Sequence, residues 1–131
     1  MIALDTNVLL RFLVEDDPHQ PEVAADLMSR LTEDEPGFVC REVVLELAWV
    51  LERTYRVSRS RIARVLGSLA ATNTIVIETA DDVAAAVAAW REGGAGLGDL
   101  MVAAAARRAG ARTLVTFDRK AARIPGVSLL E

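Results

Sequence analysis

The pattern of apolar and polar positions changes repeatedly along the chain between two periods. Short runs rich in β-branched and aromatic residues predict strands near 2–5, 37–40, 74–78, 113–117 and 127–130. Longer segments with apolar residues every three or four positions predict helices at about 6–15, 21–33, 41–55, 58–72, 80–92 and 98–110, with one further turn near 119–123. Such alternation favours an α/β fold with a mainly parallel central sheet flanked by helices.

Breaks in the pattern support these limits. Pro18 and Pro21 follow the first helical segment, Pro36-Gly37 precedes the second strand, and Ser58 is a suitable N-cap. With 131 residues and no internal repeat, the chain is expected to form a single domain over 1–131.

Four acidic residues lie in or at the ends of otherwise apolar segments: Asp5, Glu46, Asp99 and Asp118. Asp5 follows the apolar run Ile2-Ala3-Leu4, and Asp118 comes just past a second β-rich run. Open α/β sheets bind ligands beyond the carboxyl ends of their strands, so both acids are expected to face one crevice.

The other two acids are predicted to lie on helices. Asp99 opens an alanine-rich helix, whereas Glu46 shares one helical stripe with Glu42, Trp49 and Arg53. Carboxylates brought together repel each other by ~4 kcal/mol at ~4 Å and an effective dielectric of ~20, so either some of them are protonated or a cation binds. Oxygen-only ligands suit Mg²⁺ or Mn²⁺, and these metals favour phosphate substrates.

Each acid also has an ordinary structural interpretation. Asp5 and Asp99 are suited to cap the helices that they precede or open, Asp118 is suited to cap the turn at Arg119, and Glu46 is placed for a surface ion pair. The coincidence of four such positions favours a shared site over four independent roles.

Two further segments have a bearing on this site. The glycine-rich run over 93–99 follows a helix and does not match G-x-G-x-x-G, so we interpret it as a flexible connection that places Asp99. Beside Asp118, Arg119, Lys120 and Arg123 form either a contact for a polyanion or a solvated face.

Composition restricts the possible partners. A net charge of −4 and a pI near 5.1 are unusual for a protein that binds nucleic acid over a broad surface, so any contact with nucleic acid is expected to be local. One cysteine, Cys40, and one histidine, His19, exclude an internal disulfide and a cysteine-based zinc cage.

No apolar run approaches the ~18–20 residues of a membrane span, and no signal segment is present, so a cytoplasmic location is expected. The predicted helices carry large apolar residues, including Trp49, Leu51, Leu66 and Leu69. Ordinary core burial is the default interpretation, and association with a subunit or a partner helix is the alternative.

Four segments, in this order, resemble the PIN-domain family, specifically the VapC-like ribonuclease toxins of bacterial toxin–antitoxin pairs. They are IALDTNVLLRFL, VVLELAWVLER, GLGDLMVAAAARRAG and TLVTFDRKAAR, and they extend over nearly the whole chain. One departure is Gly-Leu-Gly before Asp99, where relatives often have an aromatic residue and alanine.

The resemblance implies a PIN-like three-layer sandwich and a cytoplasmic endoribonuclease that needs Mg²⁺ or Mn²⁺, forms a homodimer and is inhibited by a cognate antitoxin. The family's catalytic and metal-binding acids correspond to Asp5, Glu46, Asp99 and Asp118. Thr6, Asn7 and Thr116 would support the ligands or face the substrate, together with Arg119. Asp5 would be the central ligand, Asp99 and Asp118 would complete one or two metal sites, and Glu46 would orient or activate water. Cleavage by water would leave 5′-phosphate and 3′-hydroxyl ends.

Other functions remain as alternatives. A phosphate-accepting receiver domain needs an acid pair beside its first strand, but Asp5 stands alone before Thr6. A phosphatase of the haloacid dehalogenase type needs Asp-x-Asp, and Asn7 replaces the second acid. A non-catalytic module that binds Mg²⁺, RNA or protein through the acidic pocket is the remaining alternative.

Overall fold

The computed structural model describes residues 1–14 and 20–131. The chain divides into two compact units, Met1–Ala80 and Asp81–Glu131, which are described separately below. The single domain over 1–131 therefore stays a prediction. Three predictions lie outside the described residues: the end of the first helix at residue 15, the break at Pro18 and the loop position of His19.

The predicted strands and helices are confirmed in the described residues, with ends that differ from the predictions by a few positions. In the first unit the elements are β1 (Ile2–Ala3), α1 (Thr6–Leu13), α2 (Gln20–Arg30), β2 (Gly37–Val39), α3 (Arg41–Arg53), α4 (Arg59–Ala70) and β3 (Ile75–Ile77). The chain continues with α5 (Ala80–Glu92), α6 (Leu97–Arg108), β4 (Leu114–Thr116), a 3₁₀ helix (Ala121–Arg123) and β5 (Val127–Leu129).

All the described strand pairs are parallel, as predicted. The first unit contains a three-stranded sheet in the order β1-β2-β3, with Ala3 opposite Phe38 and Val39 opposite Ile77. The second unit contains a two-stranded sheet in which Thr116 of β4 lies opposite Leu129 of β5. In each sheet the carboxyl ends of the strands therefore lie along one edge.

The core of the first unit follows from the helical apolar stripes. Its most deeply buried side chains are Leu9, Val39, Val44, Leu47, Ile62 and Leu66. Helix α1 packs against both α2 and α3. The second strand begins at buried Gly37, where a Cβ atom would lie 2.7 Å from Leu4 Cδ1 and 3.0 Å from Leu31 Cδ1. Only a hydrogen atom fits this position without displacing the leucines, so β2 approaches them closely.

The second unit contains its own buried hydrophobic cluster. Ala95, Ala103 and Ile124 form a buried cluster, and three partly buried side chains pack against it: Leu100, Leu114 and Val127. An ion pair between Arg108 Nε and Asp82 Oδ2, 2.8 Å long, connects α5 to α6. The carboxylate of Asp82 raises the pKa of Arg108 through this hydrogen bond. These contacts hold α6, which carries Asp99, against β4 and β5.

Within the part of the chain that the structure describes, no helix is both long enough and apolar enough to cross a lipid bilayer.

Candidate metal centre

Asp5 lies two residues beyond the end of β1 and is the N-cap of α1. Its backbone is extended, and its Oδ1 atom accepts a 2.7 Å hydrogen bond from the N–H of Thr6. The capping interpretation is therefore confirmed. It does not compete with metal binding, because the side chain is exposed and the cap engages only one of its two carboxylate oxygens.

Thr6 is the buried polar residue beside this acid. It is only 2% exposed, and its Oγ1 atom has no hydrogen-bond partner among the described residues. A buried hydroxyl left unpaired costs about 1–3 kcal/mol, so the first turn of α1 keeps a polar group in a place where apolar packing would be more stable.

Asn7 is exposed, as expected for a residue that faces a substrate. It lines a pocket of about 350 Å³ between α1 and α2, together with Val8, Arg11, Val23, Ala24 and Leu27. Most of this lining is aliphatic, so Asn7 contributes a polar rim to an apolar pocket.

Glu46 lies in the middle of α3 on the stripe that the sequence predicts. Glu42, Glu46, Trp49 and Arg53 are all exposed. The Arg53 guanidinium lies 5.8 Å from the centre of the Trp49 ring, a cation–π contact. In the described residues Glu46 forms no ion pair, so the surface-pair interpretation receives no support.

Trp49 is 58% exposed, whereas Leu51, Leu66 and Leu69 are buried in the core.

Asp99 lies in the first turn of α6 but does not cap it. The helix begins at Leu97 with Gly96 as its N-cap, so the predicted capping role of Asp99 is wrong. The chain reaches this point through Gly93 and Gly94, whose φ angles of 101° and 92° favour glycine. The glycine-rich run is thus a short connection between helices, and Asp99 is exposed on the third residue of α6.

Asp118 lies two residues beyond the end of β4, the same offset as Asp5 from β1. Its Oδ1 atom accepts hydrogen bonds from the N–H groups of Lys120 at 2.8 Å and Ala121 at 3.0 Å. The predicted cap of the following turn is therefore confirmed. Again only one oxygen is engaged, and the side chain is exposed.

Thr116 connects the two acids of the second unit. Its Oγ1 atom accepts a 3.0 Å hydrogen bond from the N–H of Asp118. Thr116 and Asp99 also line one pocket of about 120 Å³. The second unit therefore groups three predicted site residues, and Arg119 is exposed in the adjoining turn.

The predicted residues are shared between the two units. Asp5, Thr6, Asn7 and Glu46 belong to the first unit, whereas Asp99, Thr116, Asp118 and Arg119 belong to the second. Neither unit by itself brings three His, Cys, Asp or Glu side chains together as metal ligands within residues 1–14 and 20–131. The four-acid site stays a prediction. Its chemistry fits Mg²⁺ or Mn²⁺, because every proposed ligand is a carboxylate.

Glu78 is a relevant residue that the sequence analysis missed. It directly follows β3, and its Oε1 atom accepts a 2.9 Å hydrogen bond from the N–H of Arg41, the first residue of α3. The N-cap residue, Cys40, makes no side-chain cap, so Glu78 supplies the cap from another strand. The strand-end rule that selected Asp5 would also have selected Glu78.

Arg41 extends this contact. Its Nη1 atom donates a 2.7 Å hydrogen bond to Thr79 Oγ1, and Thr79 has a positive φ of 47°, which is uncommon for a β-branched residue. No sequence signal predicts that conformation. Together, Glu78, Arg41 and Thr79 fix the start of α3, the helix that carries Glu46.

Comparison with known proteins identifies the family of this chain. No curated protein matches the chain. The model of the PIN domain matches residues 2–127, which include all four acids. PIN domains are generally metal-dependent nucleases, so the match supports a nuclease fold. Because the match extends over nearly the whole chain, the protein belongs to the PIN-domain family.

Proposed function

We propose that this protein is a Mg²⁺- or Mn²⁺-dependent endoribonuclease and acts in the cytoplasm as the toxin of a type II toxin–antitoxin pair. The observation that carries the proposal is the PIN-domain match over residues 2–127, which spans the four exposed carboxylates. The four sequence segments that resemble VapC-like toxins support the finer assignment to RNA and to a toxin.

In this proposal Asp5, Asp99 and Asp118 hold the metal, and Glu46 completes the site. Asp5 and Asp118 are suited to this role because backbone N–H groups already fix one oxygen of each carboxylate. Fixed ligands lose less side-chain entropy when the metal binds. When bound, Mg²⁺ or Mn²⁺ supplies charge neutralisation at the phosphate and a lower pKa for the attacking water.

The remaining side chains act on the water and on the RNA. Glu46 accepts a proton from the water as its oxygen bonds to phosphorus. The bond from phosphorus to O3′ breaks, and the leaving O3′ takes a proton from solvent water. The products are a 5′-phosphate and a 3′-hydroxyl end. Thr6 holds the Asp5 carboxylate in place through its backbone N–H, and Arg119 contacts a phosphate of the bound strand.

The proposal has a direct test with matched controls. Purified wild-type protein is expected to cut single-stranded RNA with Mg²⁺ or Mn²⁺ and to lose activity with EDTA. Glu46→Gln is expected to lower kcat by at least about 100-fold, the usual effect of removing a general base. Glu42→Gln, one turn earlier on the same exposed stripe, is expected to keep normal activity.

Asp99→Asn is expected to abolish cleavage, and Asp81→Asn, at another exposed acid of the second unit, is its control. End labelling identifies the cleavage products. Metal-dependent cleavage that survives in both Glu46→Gln and Asp99→Asn would contradict the assignment.

Metal binding can be measured without RNA. A ligand that binds only the folded state stabilises it by RT ln(1 + [L]/Kd), about 2.7 kcal/mol at one hundred times Kd. Mn²⁺ is therefore expected to raise the melting temperature of the wild-type protein and to leave that of Asp99→Asn nearly unchanged. An equal rise in both proteins would place the metal elsewhere.

The toxin role is tested in cells. Induced expression is expected to stop bacterial growth, and co-expression of a short neighbouring reading frame encoding the antitoxin is expected to restore it. Glu46→Gln should be harmless at the same expression level. Growth arrest by Glu46→Gln would show that toxicity does not depend on RNA hydrolysis. Light scattering of the purified protein tests the proposed homodimer, for which exposed Trp49 is a candidate contact.

A further inference from the structure

The residue between Thr116 and Asp118 is the most exposed large apolar residue among those described. The Phe117 side chain is 78% exposed. Placing an aromatic ring in water in this way forgoes the favourable burial of its apolar surface. An exposed aromatic side chain directly beside a proposed catalytic acid therefore requires an explanation.

The backbone on both sides of Phe117 is held in place. Thr116 O accepts a 2.7 Å hydrogen bond from the N–H of Leu130, and Thr116 Oγ1 accepts one from the N–H of Asp118. Asp118 in turn caps the following turn through Lys120 and Ala121. The ring is therefore presented from a fixed backbone, and an aromatic side chain has only two χ angles to order on binding.

Basic side chains follow the ring in sequence, and the apolar side chains of Val115 and Leu130 near it are also exposed. Arg119, Lys120 and Arg123 are all exposed within six residues of Phe117, against the single carboxylate of Asp118. The protein as a whole carries a net charge of −4, so this positive segment is local. An apolar ring flanked by cations matches a ligand that has both flat apolar faces and negative charge. An unpaired nucleotide has these properties, whereas an apolar protein helix lacks the charge.

We propose that Phe117 stacks on an unpaired base of the RNA next to the phosphate that is cut, while Arg119, Lys120 and Arg123 contact the flanking phosphates. This inference rests on the proposed ribonuclease function and gives that site a base-binding position. A paired base keeps its faces covered by its neighbours, so the position selects single-stranded RNA.

Stacking can be measured separately from cleavage. A single-stranded RNA oligonucleotide containing 2-aminopurine is titrated with the protein in Ca²⁺, and both anisotropy and 2-aminopurine quenching are recorded. Phe117→Ala is expected to weaken binding by roughly 5- to 150-fold, the range for loss of one base–aromatic stack. Phe117→Trp keeps an aromatic face and is expected to show wild-type RNA affinity and 2-aminopurine quenching.

Two variants serve as controls. Phe117→Leu keeps apolar bulk but lacks an aromatic face, and it is expected to resemble Phe117→Ala. Val23→Ala, which removes another well-exposed apolar side chain in α2, is expected to bind like the wild type. Because Phe117 is exposed, none of its variants should lower the melting temperature appreciably.

Several outcomes would overturn the proposal. They are wild-type affinity in Phe117→Ala, wild-type affinity and quenching in Phe117→Leu, an absence of RNA binding by the wild type, and a change of oligomeric state in Phe117→Ala without a change in RNA affinity. The last outcome would identify a protein contact. The two proposals fail separately: Phe117-dependent quenching without hydrolysis in Mg²⁺ refutes only the ribonuclease, and hydrolysis indifferent to Phe117 refutes only the stacking.

Discussion

The carboxylate of Glu78 caps helix α3 across 37 positions of sequence, through a 2.9 Å hydrogen bond from the backbone N–H of Arg41. A negative charge at the first turn of a helix also interacts favourably with the helix dipole. The end of β3 therefore determines how α3 begins, and α3 carries Glu46.

Removing this cap is expected to destabilise the protein. Glu78→Ala leaves the N–H of Arg41 without its acceptor and should lower the free energy of unfolding by about 0.5–2 kcal/mol. Glu78→Gln keeps an oxygen acceptor and should lose less. Urea denaturation measures both values, and amide hydrogen exchange at Arg41 should become faster only in Glu78→Ala. Equal stability of the alanine variant and the wild type would show that the cap contributes nothing.

Thr6→Val is expected to separate stability from activity. Valine keeps the shape of threonine and removes the buried hydroxyl that lacks a partner, so the free energy of unfolding should rise by about 1 kcal/mol. RNA cleavage should change little, because Thr6 holds Asp5 through its backbone N–H, which valine keeps. Thermal melting and kcat, measured on the same preparations, test both parts. A less stable Thr6→Val protein would mean that the hydroxyl has a partner.

Two glycines are expected to respond to alanine in opposite ways. At Gly37 the new methyl group would lie 2.7 Å from Leu4 Cδ1, so Gly37→Ala should cost about 1–3 kcal/mol through overpacking. At Gly67, which is exposed within α4, no atom lies within 4 Å of an added Cβ atom. Gly67→Ala should therefore raise the free energy of unfolding by about 0.5–1 kcal/mol. Chemical denaturation of the two variants side by side measures the difference. A Gly37→Ala protein as stable as the wild type would show that crowding does not govern position 37.

Asp118 is expected to show two separable roles. Asp118→Asn keeps a carbonyl oxygen to accept from Lys120 and Ala121, so stability should change little while cleavage is lost. Asp118→Ala loses the cap as well and should lower the free energy of unfolding by about 0.5–2 kcal/mol, the usual effect of removing a helix N-cap. The measurements are urea denaturation and RNA cleavage. An active Asp118→Asn protein would remove this residue from the metal site.

The sequence was most informative where local patterns dominate. Periodicity placed the strands and helices, and polar residues after apolar runs identified Asp5 and Asp118 at equal offsets from their strands. The start of α6 was less predictable, because Gly96 and Gly98 are weak helix formers and Asp99 resembles a cap. The Glu78–Arg41 contact depends on the register between β2 and β3, and no short-range pattern encodes that register.

The capping roles of Asp5 and Asp118 have a consequence for comparing this protein with its relatives. At positions 5 and 118, selection for correct folding alone can preserve a side chain with an acceptor oxygen, so an inactive descendant would still resemble an enzyme there. Glu46 and Asp99 accept no such backbone hydrogen bonds in the described residues. Under the proposed function, the retention or loss of Glu46 and Asp99 is therefore the better criterion for telling active relatives from inactive ones.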